Sequence, residues 1–541
     1  MKQKKSTRRE FIKVATTAAA AFATGCISNE FVNRMAGEGR KPEDYPVVVI
    51  GSGMGGLASA LYLSKAGFPV TVLEQHRIPG GYATAFTRGD FNFDVSLHFF
   101  SLEQNLYDEL GLEGKVERVP LHMRRRIIKN DRTIVIPDLS PEKYVEMICA
   151  TFPGEKEGIR AYHEFCLGLY DELMRFSEKA ERGYVFLPLM PFRYPKMWEV
   201  RDMSYADLLD RYIRDTSLRT TLSAYCGIVG LPPSTASGFM IALLVGHMMR
   251  NGTYYFKSRS QDLSNALAGI IREHGGTLLF NRNVTKILTE KNSVTGVQTE
   301  DGTTYPARIV VSNASAPDTF GKFLSHEGKA MRYMKKLSAY QPSISCFLIW
   351  LGLRGDVRGT LPEHSVTIES GLDVERDFEN YLKCDAEQCP IFLALYDNYY
   401  RGYSKPGTST LTVMMLSGYE PWLRFEKDYF AGDKEAYNRE KMRIARTLIR
   451  RVEEKAIPGL SSMIRVMEAS TPLTNRRFTR NPEGAIYGYP ASVNNAYMNR
   501  IKNSTPIKGL YLSSGWGNNP GSYTGGILNG RDVYRLIMKE M

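Results

Sequence analysis

The chain has 541 residues, of which 43% are hydrophobic and 24% charged, a composition typical of a globular protein large enough for more than one core. Six basic residues and one acidic residue in the first 26 positions account for +5 of the formal net charge of +12. The remaining excess of +7 is spread over a long chain, without a basic cluster interleaved with aromatic residues. We therefore predict no nucleic-acid partner, and two domains rather than one.

The N-terminal segment resembles a twin-arginine export signal. Residues 7–13 read Thr-Arg-Arg-Glu-Phe-Ile-Lys, and they precede a weakly apolar, alanine-rich stretch at residues 14–24 that is too short to span a bilayer as a helix. With Arg8 and Arg9 as the paired arginines, the resemblance implies that the twin-arginine export machinery carries the folded protein out of the cytoplasm. A disordered basic tail is the alternative interpretation.

This signal has two compatible cleavage sites. Residues 23–26 resemble a lipoprotein box, which implies a lipid anchor at Cys26, whereas an ordinary signal peptidase would cut after Ala23. Both versions imply a periplasmic protein or one at the outer face of the membrane, with membrane association in the first case. We assign residues 1–26 to the signal and residues 27–44 to a polar linker.

The next motif is that of a dinucleotide-binding unit. An apolar run at residues 47–50 leads into Gly51-x-Gly53-x-x-Gly56, a helical run follows, and a second strand ends at Glu74. Gly51 allows a tight turn, Gly53 lets the backbone approach a pyrophosphate, and Gly56 lets the helix pack on the strand. Free N–H groups at the helix N-terminus suit phosphate, and Glu74 can accept hydrogen bonds from a ribose hydroxyl.

A second pair of glycines indicates which nucleotide binds. Gly80 and Gly81 lie six positions or more beyond Glu74, and this spacing resembles the flavoprotein motif that continues the pyrophosphate site. The resemblance implies FAD as the cofactor. Residues 93–100 read Phe-Asp-Val-Ser-Leu-His-Phe-Phe, similar to the Phe-Asp-x-Gly-x-His segment of phytoene and other carotenoid desaturases, carotenoid isomerases and retinol saturases.

Later segments resemble the same family in the same order. They are a Val-x-x-Ile strand at residues 284–287, Asn-Ala at 313–314, two return segments at 471–474 and 484–488, and a strand with a glycine-rich turn at 509–526. The resemblance implies that the first contacts adenine through its backbone, the second covers the nucleotide and the last lies along the flavin ring. The implied cofactor-binding residues are Gly51, Gly53, Met54, Gly55, Gly56, Glu74, Gln75, Gly80, Gly81, Val284, Asn313, Gly515, Gly521 and Tyr523.

Two positions depart from the family pattern. Ser258-Arg259 stands where the family usually has Gly-Gly close to the flavin, and Trp516 follows Gly515 where an acid is usual. The contact to the ribityl chain must therefore come from another residue.

The order of elements predicts an α/β protein with a discontinuous FAD-binding domain. This Rossmann-like domain, a doubly wound parallel sheet, comprises residues 45–114, 252–330 and 480–541, and an inserted α+β substrate domain comprises residues 115–251 and 331–479. The first inserted segment is predicted to be helical with proline-rich breaks. In the second, β-rich runs at 343–353, 391–396 and 411–416 favour an antiparallel sheet.

Residues 239–249 are apolar on all sides and predict either a core helix, which we favour, or the lining of an apolar tunnel. His247 within this segment is interpreted as a hydrogen-bonded core histidine. Cys384 and Cys389 lie five apart in a polar loop and could form a disulfide in an oxidising compartment. No spacing of ligands predicts a metal site.

Together, the resemblance implies an FAD-dependent oxidoreductase acting on C–C or C=C bonds of an apolar, polyene-like substrate by hydride transfer to or from flavin N5. No second GxGxxG motif occurs in the sequence, so electrons are expected to pass to oxygen, a quinone or a small carrier. The catalytic residue is not evident. His98, Arg259 and Tyr523 are candidates, with strand-end hydrogen bonding, a phosphate or surface contact, and packing as their respective structural alternatives.

Two alternatives remain open. An exported amine oxidase of similar fold would need an aromatic cage, which Phe99, Trp516 or Tyr523 could supply, and usually a lysine beside the flavin. A flavin carrier or assembly protein of the envelope, without catalytic activity, is the other.

Overall fold

The computed structural model describes residues 41–96, 101–121, 125–129, 132–137, 139–181, 187–371, 373–400, 402–496 and 499–541. The predicted export signal, most of the linker, His98 and Phe99 lie outside these ranges.

The strands in chain order are β1 (Val47–Ile50), β2 (Val70–Leu73), β3 (Ala85–Arg88), β4 (Phe91–Asp94), β5 (Arg118–Pro120), β6 (Arg125–Lys129), β7 (Arg132–Ile136), β8 (Tyr254–Phe256), β9 (Thr277–Leu279), β10 (Val284–Glu290), β11 (Ser293–Thr299), β12 (Thr304–Pro306), β13 (Ile309–Ser312), β14 (Ser345–Leu353), β15 (Ser365–Ile368), β16 (Ile391–Ala394), β17 (Ser409–Ser417), β18 (Ile464–Ser470) and β19 (Leu510–Leu512).

The α-helices in chain order are α1 (Met54–Lys65), α2 (Gln104–Leu110), α3 (Pro141–Thr151), α4 (Lys156–Glu181), α5 (Met190–Arg193), α6 (Pro195–Val200), α7 (Tyr205–Tyr212), α8 (Thr216–Ser223), α9 (Cys226–Val229), α10 (Gly238–Asn251), α11 (Ser260–Glu273), α12 (Ala316–Asp318), α13 (Gly328–Leu337), α14 (Val374–Lys383), α15 (Leu423–Ala431), α16 (Glu435–Lys455), α17 (Leu460–Met463), α18 (Pro472–Thr479) and α19 (Tyr523–Glu540).

A five-stranded parallel sheet in the order β19-β13-β1-β2-β9 carries the dinucleotide motif. All four residues of β1 are buried, as expected for the central strand of a sheet covered on both faces. Helices α1 and α19 pack against each other, and a Cβ on Gly526 or Gly530 of α19 would collide with α1. These glycines set how closely the two helices approach, and the predicted α/β fold class is confirmed.

The carboxyl ends of these parallel strands meet at one edge. Gly51 follows β1, Glu74 follows β2, Asn313 follows β13 and Ser513 follows β19. Ligands of open α/β sheets bind beyond this edge. A separate three-stranded antiparallel sheet, β10-β11-β12, has a turn at Asp301-Gly302 between β11 and β12.

A seven-stranded mixed sheet in the order β18-β14-β17-β16-β15-β6-β7 forms the second core. The predicted antiparallel pairing of the runs at 343–353, 391–396 and 411–416 is confirmed, since β14 pairs with β17 and β16 with β17. The prediction that the first inserted segment is helical with proline-rich breaks is wrong for its beginning, because β5, β6 and β7 lie there, before the helices from α3 to α10. Strand β7 is an edge strand with four exposed residues, so its sequence lacks the apolar alternation that marks a half-buried strand.

Asp94, at the end of β4, connects the two sheets. Its carboxylate accepts hydrogen bonds from Tyr255 (2.6 Å), from Tyr403 and from the Ser260 N–H (3.0 Å), and its carbonyl accepts one from Trp350 Nε1 (2.6 Å). The side chain is fully buried. Because its partners come from both parts of the molecule, this residue fixes the β3–β4 hairpin between the parallel sheet and the mixed sheet.

Cys384 and Cys389 are both buried free thiols, so the structure does not contain the disulfide that their spacing allowed. No helix in the described ranges is long and apolar enough to cross a membrane.

Candidate cofactor and substrate site

A cavity of about 1440 Å³ lies between the carboxyl edge of the parallel sheet and one face of the mixed sheet. Single small-molecule sites usually measure roughly 300–1,000 Å³. The cavity therefore has room for a dinucleotide and a second molecule.

The turn after β1 has the geometry that its glycines predict. Gly51 has a φ of +87°, a region that favours glycine, and its N–H donates to the carbonyl of Leu73 at 2.8 Å. A Cβ on Gly56 would overlap the Gly51 carbonyl, although Gly56 itself does not line the cavity. Gly56 therefore acts by letting α1 pack on the turn.

The start of α1 forms a site suited to phosphate. A Cβ on Gly53 would lie 2.5 Å from Asn313 Oδ1, and one on Gly55 would overlap the carbonyl of Ser513. Gly53 is the N-cap and makes no side-chain cap hydrogen bond, and Gly53, Met54 and Gly55 all line the cavity. The N–H groups of this first turn can therefore bind a pyrophosphate.

Gly80 and Gly81 complete this end of the cavity. The Gly80 N–H donates to the carbonyl of Ser52 at 2.9 Å, and a Cβ on Gly81 would lie 3.4 Å from the Gly53 Cα. Both glycines line the cavity beside the first turn of α1. The two glycine motifs, separated in sequence, thus form one surface.

Glu74 is held in position by three donors. One carboxylate oxygen accepts from the N–H and the hydroxyl of Ser52, each at 2.7 Å, and the other accepts from the His76 N–H at 2.8 Å. The residue is only 6% exposed yet lines the cavity. Its carboxylate fits the predicted ribose contact because its orientation is fixed before a ligand binds.

Beyond Glu74 lies the end of the cavity that fits an adenosine group. Gln75 and Val284, two of the predicted cofactor-binding residues, line it together with Arg282, Phe478 and Arg480. The Gln75 amide donates to the Phe478 carbonyl at 3.1 Å, and the Arg282 N–H donates to the Glu74 carbonyl at 2.8 Å. Arg282 and Arg480 were missed by the sequence analysis, because isolated arginines in loops belong to no motif.

The glycine-rich turn after β19 lies along the cavity and is supported from behind by a buried cation. Gly515 and Gly521 line the wall, and a Cβ on Gly515 would lie 2.7 Å from the Gly521 Cα. Behind them, Arg500 donates to the carbonyls of Gly515 (3.2 Å) and Gly517 (3.1 Å). Burial lowers the pKa of the Arg500 guanidinium to about 10. Arg500 therefore positions the turn without contacting the cavity.

Of the three catalytic candidates, Tyr523 alone is placed on the cavity wall. Its ring packs on Phe256 at 5.8 Å between centroids, and burial raises the pKa of its phenol well above the usual value. Arg259 is not on the wall in the described structure; its Nη1 donates to Asn92 Oδ1 at 3.1 Å. His98 lies outside the described residues. Trp516 lines the wall and packs on Tyr489 at 4.8 Å.

Helix α10 has both of the roles that its sequence allowed. Phe239 and Val245 are buried in the helical core, whereas Met240, Leu243 and Leu244 line the cavity. The preferred interpretation as a plain core helix therefore applies to one face only. The side of α10 that faces the cavity forms part of the wall of an apolar chamber. This chamber adjoins the end of the cavity where the glycine motifs lie.

A polar cluster interrupts the apolar wall of this chamber. The Tyr170 hydroxyl donates to Glu103 Oε1 at 3.0 Å, and His247 Nδ1 lies 3.7 Å from the same oxygen and 3.2 Å from Asn251 Nδ2. Tyr170, His247 and Glu103 line the cavity. His247 is hydrogen-bonded as expected, but at a wall rather than within the core. Nothing in its sequence spacing predicts this cluster, because Glu103 and His247 meet only in the fold.

His364 also lines the chamber, beside the rings of Tyr396 (5.2 Å) and Tyr399 (5.7 Å). It is 6% exposed, and burial lowers its pKa to about 4. The imidazole is therefore neutral at physiological pH. Across the described residues, no group of three or more His, Cys, Asp or Glu side chains could hold a metal ion.

Comparison with known proteins agrees with this geometry. The chain is 28% identical to chloroplastic prolycopene isomerase 1 of an Oncidium hybrid cultivar, covering 88% of this chain and 81% of that protein. It is likewise 28% identical to all-trans-retinol 13,14-reductase of Danio rerio, covering 88% of this chain and 83% of that protein.

Solved structures share the fold at lower identity. An oxidoreductase from Methanosarcina mazei aligns with a TM-score of 0.58 at 17% identity, over 90% of this chain and 99% of that one. Putrescine oxidase bound to putrescine aligns with a TM-score of 0.58 at 13% identity, over 92% and 99% of the respective chains. The family model described as flavin containing amine oxidoreductase matches residues 54–533, so the chain belongs to this family and is an FAD-dependent oxidoreductase.

Proposed function

We propose that this enzyme acts on carbon–carbon bonds of a long, unsaturated, apolar substrate. The observation that carries the proposal is the chamber beside the cofactor end, whose wall includes Leu243, Leu244, Phe392 and Met414. A polyene is mostly apolar surface, and such surface binds favourably where water is excluded. The relatives named prolycopene isomerase and retinol 13,14-reductase act on molecules of this kind.

When bound, FAD would supply hydride transfer to or from carbon. The chain would hold it with the first turn of α1, with Glu74 and with the turn around Gly515. The apolar wall excludes water and lays the substrate along the chamber. In the polar cluster, the Tyr170 hydroxyl donates its proton in a hydrogen bond to Glu103 Oε1. Both groups lie on the wall, where they could give a proton to a substrate carbon or take one from it.

The test is incubation of the purified holoenzyme with a polyene panel and an amine panel. All-trans-retinol, prolycopene and phytoene would be compared with putrescine and cyclohexylamine, under anaerobic conditions, starting from either oxidised or photoreduced flavin. We expect a polyene to change the flavin absorbance or to be converted to a product separable by chromatography. The product identifies the direction as desaturation, saturation or isomerisation.

An amine oxidase is the second candidate, favoured by the family description and by the fold of putrescine oxidase. The described part of the cavity wall contains no lysine, however, whereas such enzymes usually place one beside the flavin. Reduction of the flavin by an amine, with no response to any polyene, would replace the proposal. A lack of response to both panels would favour a flavin carrier without catalytic activity. Where a panel member does react, turnover with added oxygen, quinone or a small carrier would identify the electron acceptor.

We also propose that the enzyme is exported by the twin-arginine route to the periplasm, with Cys26 or the bond after Ala23 as the cleavage site. The sequence at residues 7–24 supports this, and a flavoprotein suits a route that carries folded proteins. Replacing Arg8 and Arg9 together by lysine keeps the charge but removes the guanidinium groups, so the enzyme should remain in the cytoplasm.

Cell fractionation with an activity-independent tag would measure this, and Lys4→Arg with Lys5→Arg is the matched control. A double Arg→Lys variant that still leaves the cytoplasm would contradict the twin-arginine route. Labelling with a radioactive fatty acid would distinguish the anchor at Cys26 from cleavage after Ala23.

A further inference from the structure

One end of the chamber contains a half-buried cation that forms no ion pair with a described residue. Arg125, the first residue of β6, lines the cavity, and its one hydrogen bond to a described residue runs from Nη2 to the Tyr144 hydroxyl at 3.5 Å. Its Nε is buried and makes no hydrogen bond to any residue that the structure describes. The nearby carboxylate of Glu369 is paired with Lys129 at 3.4 Å. An arginine remains charged in proteins, so a cation lies in a largely apolar wall.

The register of the mixed sheet gives the position of this cation. Arg125 pairs with Ser365, and the same row continues through Ala394 and Thr412 to Trp350 on β14. Residues in one row share a face, and Trp350, Ala394 and Ser365 line the cavity as Arg125 does. Neighbouring strands lie about 4.8 Å apart, which places Arg125 about 19 Å across the sheet from Trp350.

The surface of the mixed sheet between Arg125 and Trp350 is apolar or uncharged. The next row on the same face contributes Thr367, Phe392 and Met414 to the wall. Arg125 is the sole basic residue that the described part of the mixed sheet places on the cavity. A long apolar molecule lying on this face would therefore bring one of its ends to Arg125.

The surroundings of Arg125 suit an oxyanion. The Tyr144 hydroxyl accepts a hydrogen bond from the guanidinium, and Tyr225, Ser365 and Thr367 line the cavity near it. A guanidinium binds a carboxylate through two parallel hydrogen bonds, and hydroxyls can donate to the remaining lone pairs. The half-buried guanidinium hydrogen-bonds only to a neutral hydroxyl among the described residues, so an incoming carboxylate would give it a charged partner.

We propose that the substrate is an unsaturated apolar chain that ends in a carboxylate, with Arg125 binding the carboxylate and the sheet face carrying the chain towards the cofactor. This inference rests on the proposed function and narrows its substrate class. The proposal favours carboxylic acids with a long unsaturated chain as substrates over hydrocarbon carotenes and alcohols, because those carry no charge for the guanidinium to bind.

The experiment uses three probes with one carbon chain: all-trans-retinoic acid, its methyl ester and all-trans-retinol. Dissociation constants for the holoenzyme would be measured from the change in flavin absorbance. We expect the acid to bind at least about tenfold more tightly than the ester, as a charge-assisted pair implies. Arg125→Gln should abolish this preference and leave ester binding unchanged, and Arg125→Lys should retain part of it.

Arg132→Gln removes the same charge from the exposed neighbouring strand β7 and should leave the preference intact. Equal affinity of the unmodified enzyme for acid and ester would overturn the inference while leaving the proposed function standing. Failure of all three probes to bind would overturn the inference, and the response to prolycopene and phytoene would decide the proposed function separately. The comparison of acid and ester in the unmodified enzyme decides the matter even if Arg125→Gln does not fold.

Discussion

Glu74 shows how one residue can serve both the fold and the cofactor. Its two oxygens are fixed by Ser52 and His76, so the carboxylate reaches the cavity in a defined orientation. A ligand then meets an acceptor that loses little conformational entropy on binding.

Replacing Glu74 by alanine should weaken FAD binding. Hydrogen bonds to charged groups contribute about 1.5–3 kcal/mol, so we expect affinity to fall by about one to two orders of magnitude. Flavin retention during dialysis, followed by absorbance, measures this. Glu43→Ala removes an exposed carboxylate, 3.4 Å from Lys41, and should change nothing. Unaltered flavin occupancy in Glu74→Ala would refute the ribose contact.

His364 should make stability depend on pH. Burial lowers its pKa from 6.5 to about 4, so below pH 6.5 the unfolded chain binds a proton that the folded protein does not. Stability is therefore lost as the pH falls from about 6.5 to about 4. Between pH 7 and pH 5 this contribution amounts to about 2 kcal/mol.

Denaturant unfolding of the wild type and His364→Phe at pH 7 and pH 5 would measure the difference. The variant should lose about 2 kcal/mol less than the wild type over this interval. His326→Phe, at an exposed histidine, serves as the control. Equal losses in wild type and His364→Phe would show that the buried imidazole does not control stability in this range.

At the scale of elements, one side of α10 packs in the helical core and another side lines the chamber. Val245 packs in the helical core and is 1% exposed, whereas Leu243, two positions earlier and therefore on the opposite side of the helix, lines the chamber. Its sequence is apolar on both faces, so periodicity could not tell one face from the other.

Two truncations on α10 should differ in their effects on stability and on substrate binding. Phe239→Ala should destabilise the enzyme by about 3–5 kcal/mol because it opens a cavity in the core. Leu243→Ala borders space that is already open, so it should cost less than about 2 kcal/mol but alter KM for a long substrate. Thermal melts and steady-state kinetics measure these outcomes, and a larger stability loss from Leu243→Ala would mean that this face is part of the core.

The elements also show what the sequence could predict. The glycine turn and Glu74 act within one βαβ unit, where spacing determines position, and β14, β16 and β17 carry strong apolar patterns. Strand β7 lacks such a pattern. Arg125 and Arg282 line the cavity together with residues far away in the chain. Only the fold brings these residues together, so the sequence could not predict their position.

At the scale of the whole molecule, FAD would be held by both glycine motifs, and neither Cys226 nor His76 is placed for a covalent bond to it. Cys226 is buried away from the cavity wall, and His76 Nε2 lies 2.6 Å from the Phe478 carbonyl. We therefore expect FAD to be held by noncovalent contacts. Acid precipitation should release the yellow colour into the supernatant, with a covalent flavoprotein as the control; colour retained in the pellet would refute this.

The parallel sheet joins β1 near the start of the described chain to β19 near its end. A ribosome adds about 5–20 residues per second, so tens of seconds separate the synthesis of Gly51 from that of Gly526. During that time the nascent chain has the first turn of α1 but not the turn and helix that complete the cavity. We therefore expect flavin to be retained only once the last helix has emerged, so that a flavin-loaded molecule is one whose translation has already passed α19.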